Sequence, residues 1–226
     1  METVILKDIP FEMNTEAMIK KLRILNEEDA ARLHELVEEA LHLGKPKGMY
    51  AETYIDSKGK DSISTGLVTF HSRVMRINLD TIYKIYPYIA TCGTELEDWA
   101  DSFGDILENF WADIIKQTVL ATAVRYLKDH VKNKFRLGKT SVMNPGSLED
   151  WPLREQGKLF ALLGDTRGKI GVTLTESFLM LPTKSVSGII FPVEKGFENC
   201  QLCKREGCPG RSAPYNETLY REKYGL

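Results

Sequence analysis

Apolar positions recur every three to four residues through Ala30, Leu33, Leu36, Val37, Ala40 and Leu41, the stripe of an amphipathic helix. Asn26 stands before it as a cap. Glu27, Glu28 and Asp29 fill a first turn whose free N–H groups favour negative charge, and Gly44 and Pro46 stop the helix. The period then changes. Residues 49–55 (MYAETYI), 62–70 (SISTGLVTF) and 74–79 (VMRINL) predict strands, with a turn over 57–61. Thr94-Glu95-Leu96-Glu97 has capping-box spacing and predicts a helix start. A longer helix is expected over 108–134, on Ile114, Ile115, Thr118, Val119, Ala121, Ala123, Val124 and Leu127. Lys128, Lys132, Lys134 and Arg136 crowd its C-terminal end, where they compensate the dipole. Pro152 suits the first turn of a further helix ending near Gly164. Residues 169–174 and 186–191 read as short strands around a connection through Met180-Leu181-Pro182. Helices and strands mix without regular βαβ alternation, internal repeat or low-complexity linker. That pattern predicts a single α+β domain on a mainly antiparallel sheet.

Composition narrows the classes. A chain of 226 residues buries about 70% of its unfolded surface and folds without a staple. With 30 basic against 32 acidic residues, nothing marks a bulk nucleic-acid or membrane-surface binder. No apolar run approaches the roughly 20 residues that span a bilayer. The start, METVILKDIPFEM, lacks a basic segment followed by an apolar core. The expectation is a cytoplasmic protein with reduced thiols, in which the Asn216-Glu217-Thr218 sequon carries no meaning.

Several motifs fall away. Gly138-Lys139-Thr140-Ser141 ends like a phosphate loop, but the position of its first glycine is Asn133 and the stretch follows a helix. His34, His42, His71 and His130 stand in no ligand pattern. No nucleophile elbow or dinucleotide fingerprint occurs, and Ser177 after Glu176 reads as a turn residue. What stands out is cysteine. Cys200, Cys203 and Cys208 are spaced C-x2-C-x4-C, with Gly207, Pro209 and Gly210 suited to a tight loop. Thiolates bind zinc or iron–sulfur clusters in threes and fours. Cys92, at a strand-to-helix junction, is the remaining thiol and either a fourth ligand or a buried core residue. Spacing does not separate zinc from iron–sulfur.

Residues 143–164 (MNPGSLEDWPLREQGKLFALLG) and 169–191 (KIGVTLTESFLMLPTKSVSGIIF) resemble the reactivation domain of cobalamin-dependent methionine synthase. The matching features are Pro145-Gly146 before a helix, Ile170-Gly171, Leu174-Thr175-Glu176-Ser177, Met180, Pro182 and Ser185-Val186-Ser187-Gly188. Weaker echoes lie at Arg23-Ile24-Leu25, Lys47-Gly48-Met49-Tyr50 and Thr91-Cys92-Gly93. The resemblance implies a C-shaped α+β domain that binds S-adenosylmethionine and presents its methyl group to an oxidised cobalamin. A separate flavoprotein supplies the electron. It implies an activation domain over 1–199, followed by a cysteine-rich loop and tail over 200–226.

The chain departs from the family at its ligand positions. The family's turn reads Arg-Pro-Ala-Pro-Gly-Tyr; here Val142 stands for the arginine and Ser147 for the tyrosine. A family acid falls near Ala121, an N-terminal aspartate at Asp8, and a tyrosine pair near Phe197 and Glu198. Losing an arginine–carboxylate contact predicts weak or absent S-adenosylmethionine binding. The resemblance assigns Asn144, Pro145, Gly146, Ser147, Thr183, Lys184 and Ser185 to a cleft for the donor and the partner. Cobalamin is carried by that partner, a methionine synthase module or another corrinoid protein. The implied function is a stand-alone activation subunit acting in trans, of the methyltransferase class and linked to methionine biosynthesis. Electrons would come from a donor or through a cysteine-bound cluster. The alternative is a non-catalytic corrinoid-protein partner with a structural zinc.

Overall fold

The computed structural model describes residues 2–194, 196–208 and 211–225. Along the chain run β1 (Thr3–Leu6), α1 (Thr15–Leu22), α2 (Glu27–Leu43), β2 (Lys47–Ala51), β3 (Thr53–Tyr54), β4 (Ser57–Lys58), β5 (Ser62–Ser64), β6 (Thr69–His71) and α3 (Arg73–Asn78). Then come β7 (Lys84–Thr91), α4 (Thr94–Asp101), α5 (Ile106–Lys134), β8 (Thr140–Met143), α6 (Gln156–Leu163), α7 (Thr166–Ile170), β9 (Thr173–Leu174), β10 (Met180–Leu181) and β11 (Ser185–Pro192). A 3-10 turn covers Asn199–Gln201 and a π-helical turn Leu219–Lys223.

The main sheet has the order β1-β2-β7-β11-β8, with β3 also paired to β7, and every pairing is antiparallel. Strand β7 is its spine. Every residue from Ile85 to Thr91 is buried, which explains the near-continuous apolar run IYPYIA. A proline inside a central strand removes a ladder donor. Pro87 is tolerated because it sits where the partner changes: β2 pairs only as far as Tyr88, and β3 resumes at Ile85.

Alternation along β7 divides two cores. Tyr86, Tyr88, Ala90 and Cys92 face the helices, meeting Leu33, Leu36, Val37 and Ala40 of α2, Trp99 of α4 and Ile115, Val119, Ala123 and Leu127 of α5. On the opposite face Ile85, Met143, Ile189 and Phe191 pack against Phe70, Met75, Trp151 and Leu159. There β4, β5 and β6 form a small antiparallel sheet. The predicted α+β class and mainly antiparallel sheet match what is observed, and no described helix is long and apolar enough to cross a membrane.

Three local expectations are corrected. VMRINL forms α3, not a strand. Ser72 Oγ accepts Met75 N (2.9 Å), and the Asp150 carboxylate accepts the N–H groups of Arg73 and Val74 (both 3.1 Å). Caps from near and far outweigh β-branched propensity. The capping box does not form, because Gly93 is the N-cap of α4 and Glu97 is drawn to Lys116 and Thr183. Residues 169–174 open as the end of α7, which Asp165 caps through Gly168 N (2.8 Å), and become a strand only at Thr173.

Candidate functional site

Strand β8 delivers the Pro145-Gly146 turn to the end of the sheet where β11 begins. Asn144 turns inward: its Nδ2 donates to Tyr88 Oη (3.0 Å) and to Ser187 O (2.9 Å). The fit is close, since a Cβ on Gly188 would lie 2.6 Å from Asn144 Nδ2 and 2.6 Å from Met143 O. Burial pushes the Tyr88 hydroxyl up to about 12, against the pull of Asn144, so it stays protonated as this amide's partner. Gly146 takes φ 79°, a conformation that favours glycine, and its N–H reaches Trp151 O (2.8 Å). Ser147 is exposed, whereas Val142 packs against the helix-side core.

Thr183, Lys184 and Ser185 lie at the same end of the sheet, tied mainly toward the helices. Thr183 N and Oγ1 donate to the Glu97 carboxylate (2.8 and 3.0 Å), which also receives Lys116 Nζ (2.8 Å). Burial alone would raise Glu97, but these donors hold it below the usual carboxylate range. Lys184 Nζ pairs with Asp113 of α5 (2.8 Å), and Ser185 Oγ is hydrogen-bonded to Thr91 Oγ1 (2.9 Å) and Pro182 O (2.8 Å). The Pro–Gly turn joins the cysteine loop, and the β10–β11 connection joins α4 and α5.

The cysteine loop runs along the free edge of β8. Phe197 N donates to Ser141 Oγ (2.8 Å), and Asn199 Nδ2 reaches Asn144 Oδ1 (3.4 Å). Phe197, Leu202 and Tyr224 are buried in the core opposite the helices. At the loop's centre lies Arg211, which the sequence reading missed. Its Nη1 donates to Cys200 O (3.2 Å) and Ala213 O (3.3 Å), and its Nη2 to Cys203 O (3.2 Å) and to Arg205 O. An arginine directly after Pro209-Gly210, three residues past the last of three cysteines, was the available signal. The Pro209-Gly210 part of the expected loop lies outside the described residues. Between the loop and the turn is a cavity of about 470 Å³, lined by Ser147, Leu148 and Asp150 on one wall and Leu202, Cys203 and Arg205 on the other.

The thiols are not gathered as a metal set. Among the described residues no three His, Cys, Asp or Glu side chains are placed to hold an ion. Cys92 is fully buried among the helix-side residues, whereas Cys203 packs on the opposite face of the sheet. From β7 to β8 is also about 10 Å, two inter-strand steps. Cys92 is therefore placed as a core thiol and not as a fourth ligand, and burial pushes it up to about 12. Cys200 differs. Its Sγ accepts Ser212 N (3.4 Å). The Ser212 side chain first, then the backbone N–H groups of Ser212 and Ala213 and the Arg211 charge, hold the thiol below its ordinary range despite some desolvation.

Three comparisons bear on this geometry. Residues 105–198 match the family described as "Vitamin B12 dependent methionine synthase, activation domain". The fold is similar to that of a crystal structure of the MetH reactivation domain bound to AdoHcy, with TM-score 0.65 and 16% identity, covering 88% of this chain and 81% of that one. A search of curated proteins finds no match. The family match spans α5, the Pro–Gly turn, α6, the β9–β10 hairpin and β11, and stops short of Cys200. From α5 through β11 this chain carries the sequence signature of the vitamin B12-dependent methionine synthase activation domain, on the fold of the MetH reactivation domain.

Proposed function

We propose that the chain is an activation unit that docks on a cobalamin-binding module, in trans, and returns its cofactor to the working state. The observation that carries this is the family match over residues 105–198, which includes both the Asn144–Ser147 turn and the Thr183–Ser185 connection. Asn144 and Glu97 hold these two segments rigidly. Rigid presentation is what a positioning role requires, because a reacting centre misplaced by an ångström loses much of its rate. Cobalamin, brought by the partner, supplies the methyl-carrying cobalt.

The turn does not suit S-adenosylmethionine. Val142 is turned into the core, Ser147 offers only an exposed hydroxyl, and Asn144 is engaged by Tyr88 and Ser187. None offers a charged partner for the ligand's carboxylate, and no methyl-transfer step is assigned to this turn. Lys204 and Arg205 bring cations to the neighbouring cavity. Cys200, Cys203 and Cys208 are proposed ligands for zinc or an iron–sulfur cluster only through a rearrangement that turns their sulfurs together, away from the arrangement centred on Arg211. Iron and a visible chromophore in anaerobically purified protein would support an electron-carrying role; zinc would support a structural one.

The deciding experiment is association with purified cobalamin-binding modules by cross-linking and calorimetry. Micromolar or tighter binding is expected, weakened about tenfold by Lys184→Ala with an unchanged melting temperature. Ser185 is not a suitable probe, since its hydroxyl ties β11 to Thr91. Absence of association with any cobalamin-binding module would reduce the likeness to one of fold alone.

A further inference from the structure

Cys200 and Cys203 stand at the two ends of one tight turn. Cys203 N donates to Cys200 O (3.3 Å) as the Asn199–Gln201 turn closes. Residues closing such a turn have Cα atoms within about 7 Å, which overlaps the roughly 4.4–6.8 Å that a disulfide requires. Both residues are half-buried, Cys203 at the margin of the core on its face of the sheet. Arg211 donates to the carbonyl of each cysteine, clipping the two backbones together and placing a guanidinium beside them. Cys203 also lines the cavity facing Ser147 and Asp150, which gives a small molecule a route to the turn.

We propose that Cys200 and Cys203 form a dithiol–disulfide exchange site for low-molecular-weight disulfides, with Cys200 as the attacking thiol and Arg211 as its positioning residue. The inference is independent of cobalamin docking. The Cys200 thiolate attacks one sulfur of the incoming disulfide. An S–S bond forms to Cys200, and the first thiolate leaves with the electron pair of the broken bond. Cys203 then loses its proton to solvent and attacks the Cys200 sulfur, expelling the second thiolate. The two cysteines lose two electrons and two protons in all, and the incoming disulfide is reduced to two thiols. Cys200 suits the first step by position, because its Sγ accepts the Ser212 N–H (3.4 Å) and Arg211 donates to its carbonyl (3.2 Å), so a donor meets the sulfur and a cation is held beside it. Cys203 is the resolving thiol by position. Cys92, buried on the other face, takes no part.

The test uses the full chain, its metal content measured first, incubated with glutathione disulfide and mapped by alkylation and mass spectrometry. The expected product is a Cys200–Cys203 bridge that persists in Cys208→Ser. Cys203→Ser should accumulate glutathione on Cys200, and Cys200→Ser should slow the reaction at least tenfold. Arg211→Gln should move the pH midpoint of Cys200 alkylation upward, and Arg211→Lys should restore part of that shift, a readout that a merely structural role would not move. The proposal is overturned if no bridge forms, if Cys208 is the dominant partner, or if Cys200→Ser reacts like the parent. It is equally overturned if stoichiometric metal leaves all three thiols inert, an outcome that does not touch the docking experiment.

Discussion

Strand β7 and the cysteine loop are held by opposite means. Strand β7 has backbone partners on both sides and apolar cover on both faces, and each buried Ile or Leu around it contributes about 2 kcal/mol. The loop has Leu202 and Tyr224 as buried anchors, and between them its path is set largely by one guanidinium and the carbonyls it collects. Many interchangeable apolar contacts make the first region tolerant of any one change. The second has fewer apolar contacts and leans on polar ties, those of Arg211 together with Asn216 N to Gln201 O (2.8 Å) and Ser212 Oγ to Glu198 Oε2 (3.1 Å). The proposed exchange chemistry needs movement and is assigned to the loop; the proposed docking needs rigidity and is assigned to the sheet end.

The largest expected effect breaks the rigid side at the most deeply buried ion pair among the described residues, Lys116–Glu97. Lys116→Met leaves Glu97 without its cation in a mostly buried site, and urea unfolding should show a loss of about 3 kcal/mol. The reactivity of Cys200 should not change, because its loop lies across the sheet.

The same carboxylate predicts acid sensitivity. Glu97 and Glu95 are both held below their unfolded values, so the stability they contribute is fully present above about pH 4.3. It is lost as the pH falls through their folded values, because the unfolded state binds protons first. Lys116→Met should flatten part of that loss in a series of unfolding curves at falling pH.

On the loop side, Tyr224→Phe removes the hydrogen bond to Asn78 Oδ1 (2.6 Å) and should cost about 1 kcal/mol. Burial pushes Tyr224 up to about 12, so the folded protein keeps a proton that the unfolded chain releases near pH 10. Its contribution is present below pH 10 and lost between about pH 10 and 12, and the Phe variant should show less of that alkaline decline. Unlike Lys116→Met, this change should increase the alkylation rate of Cys203. The smallest effect is Lys184→Ala, whose pair with Asp113 is partly exposed. Its stability should fall by no more than about 0.5 kcal/mol, so any larger loss of partner binding reports the surface itself.

Much of the architecture was legible from local pattern. Asn26 with its acidic first turn marked α2, the period of Ile115, Val119 and Ala123 marked α5, and the run from Val186 to Phe191 marked β11. The Pro145-Gly146 and Ser185–Gly188 signatures pointed to the family because they are contiguous in sequence. Residues governed by distant partners were not legible. VMRINL has strand composition, yet Asp150 completes the cap of a helix there. Glu97 has capping-box spacing but serves Lys116 and Thr183.

By itself the sequence determined the α+β class, the principal helices and the family-like segment, because these follow from the spacing of apolar residues and from short-range motifs that act within a turn or two of chain. Only the tertiary structure decided which cysteines can meet. Alternation along β7 sends Cys92 into the helix-side core, while the edge of β8 carries Cys200 and Cys203 outward around Arg211. Which face of a sheet a side chain occupies, and which cation fills a loop, are set by strand order and long-range hydrogen bonds, and no spacing of thiols along the chain encodes either one.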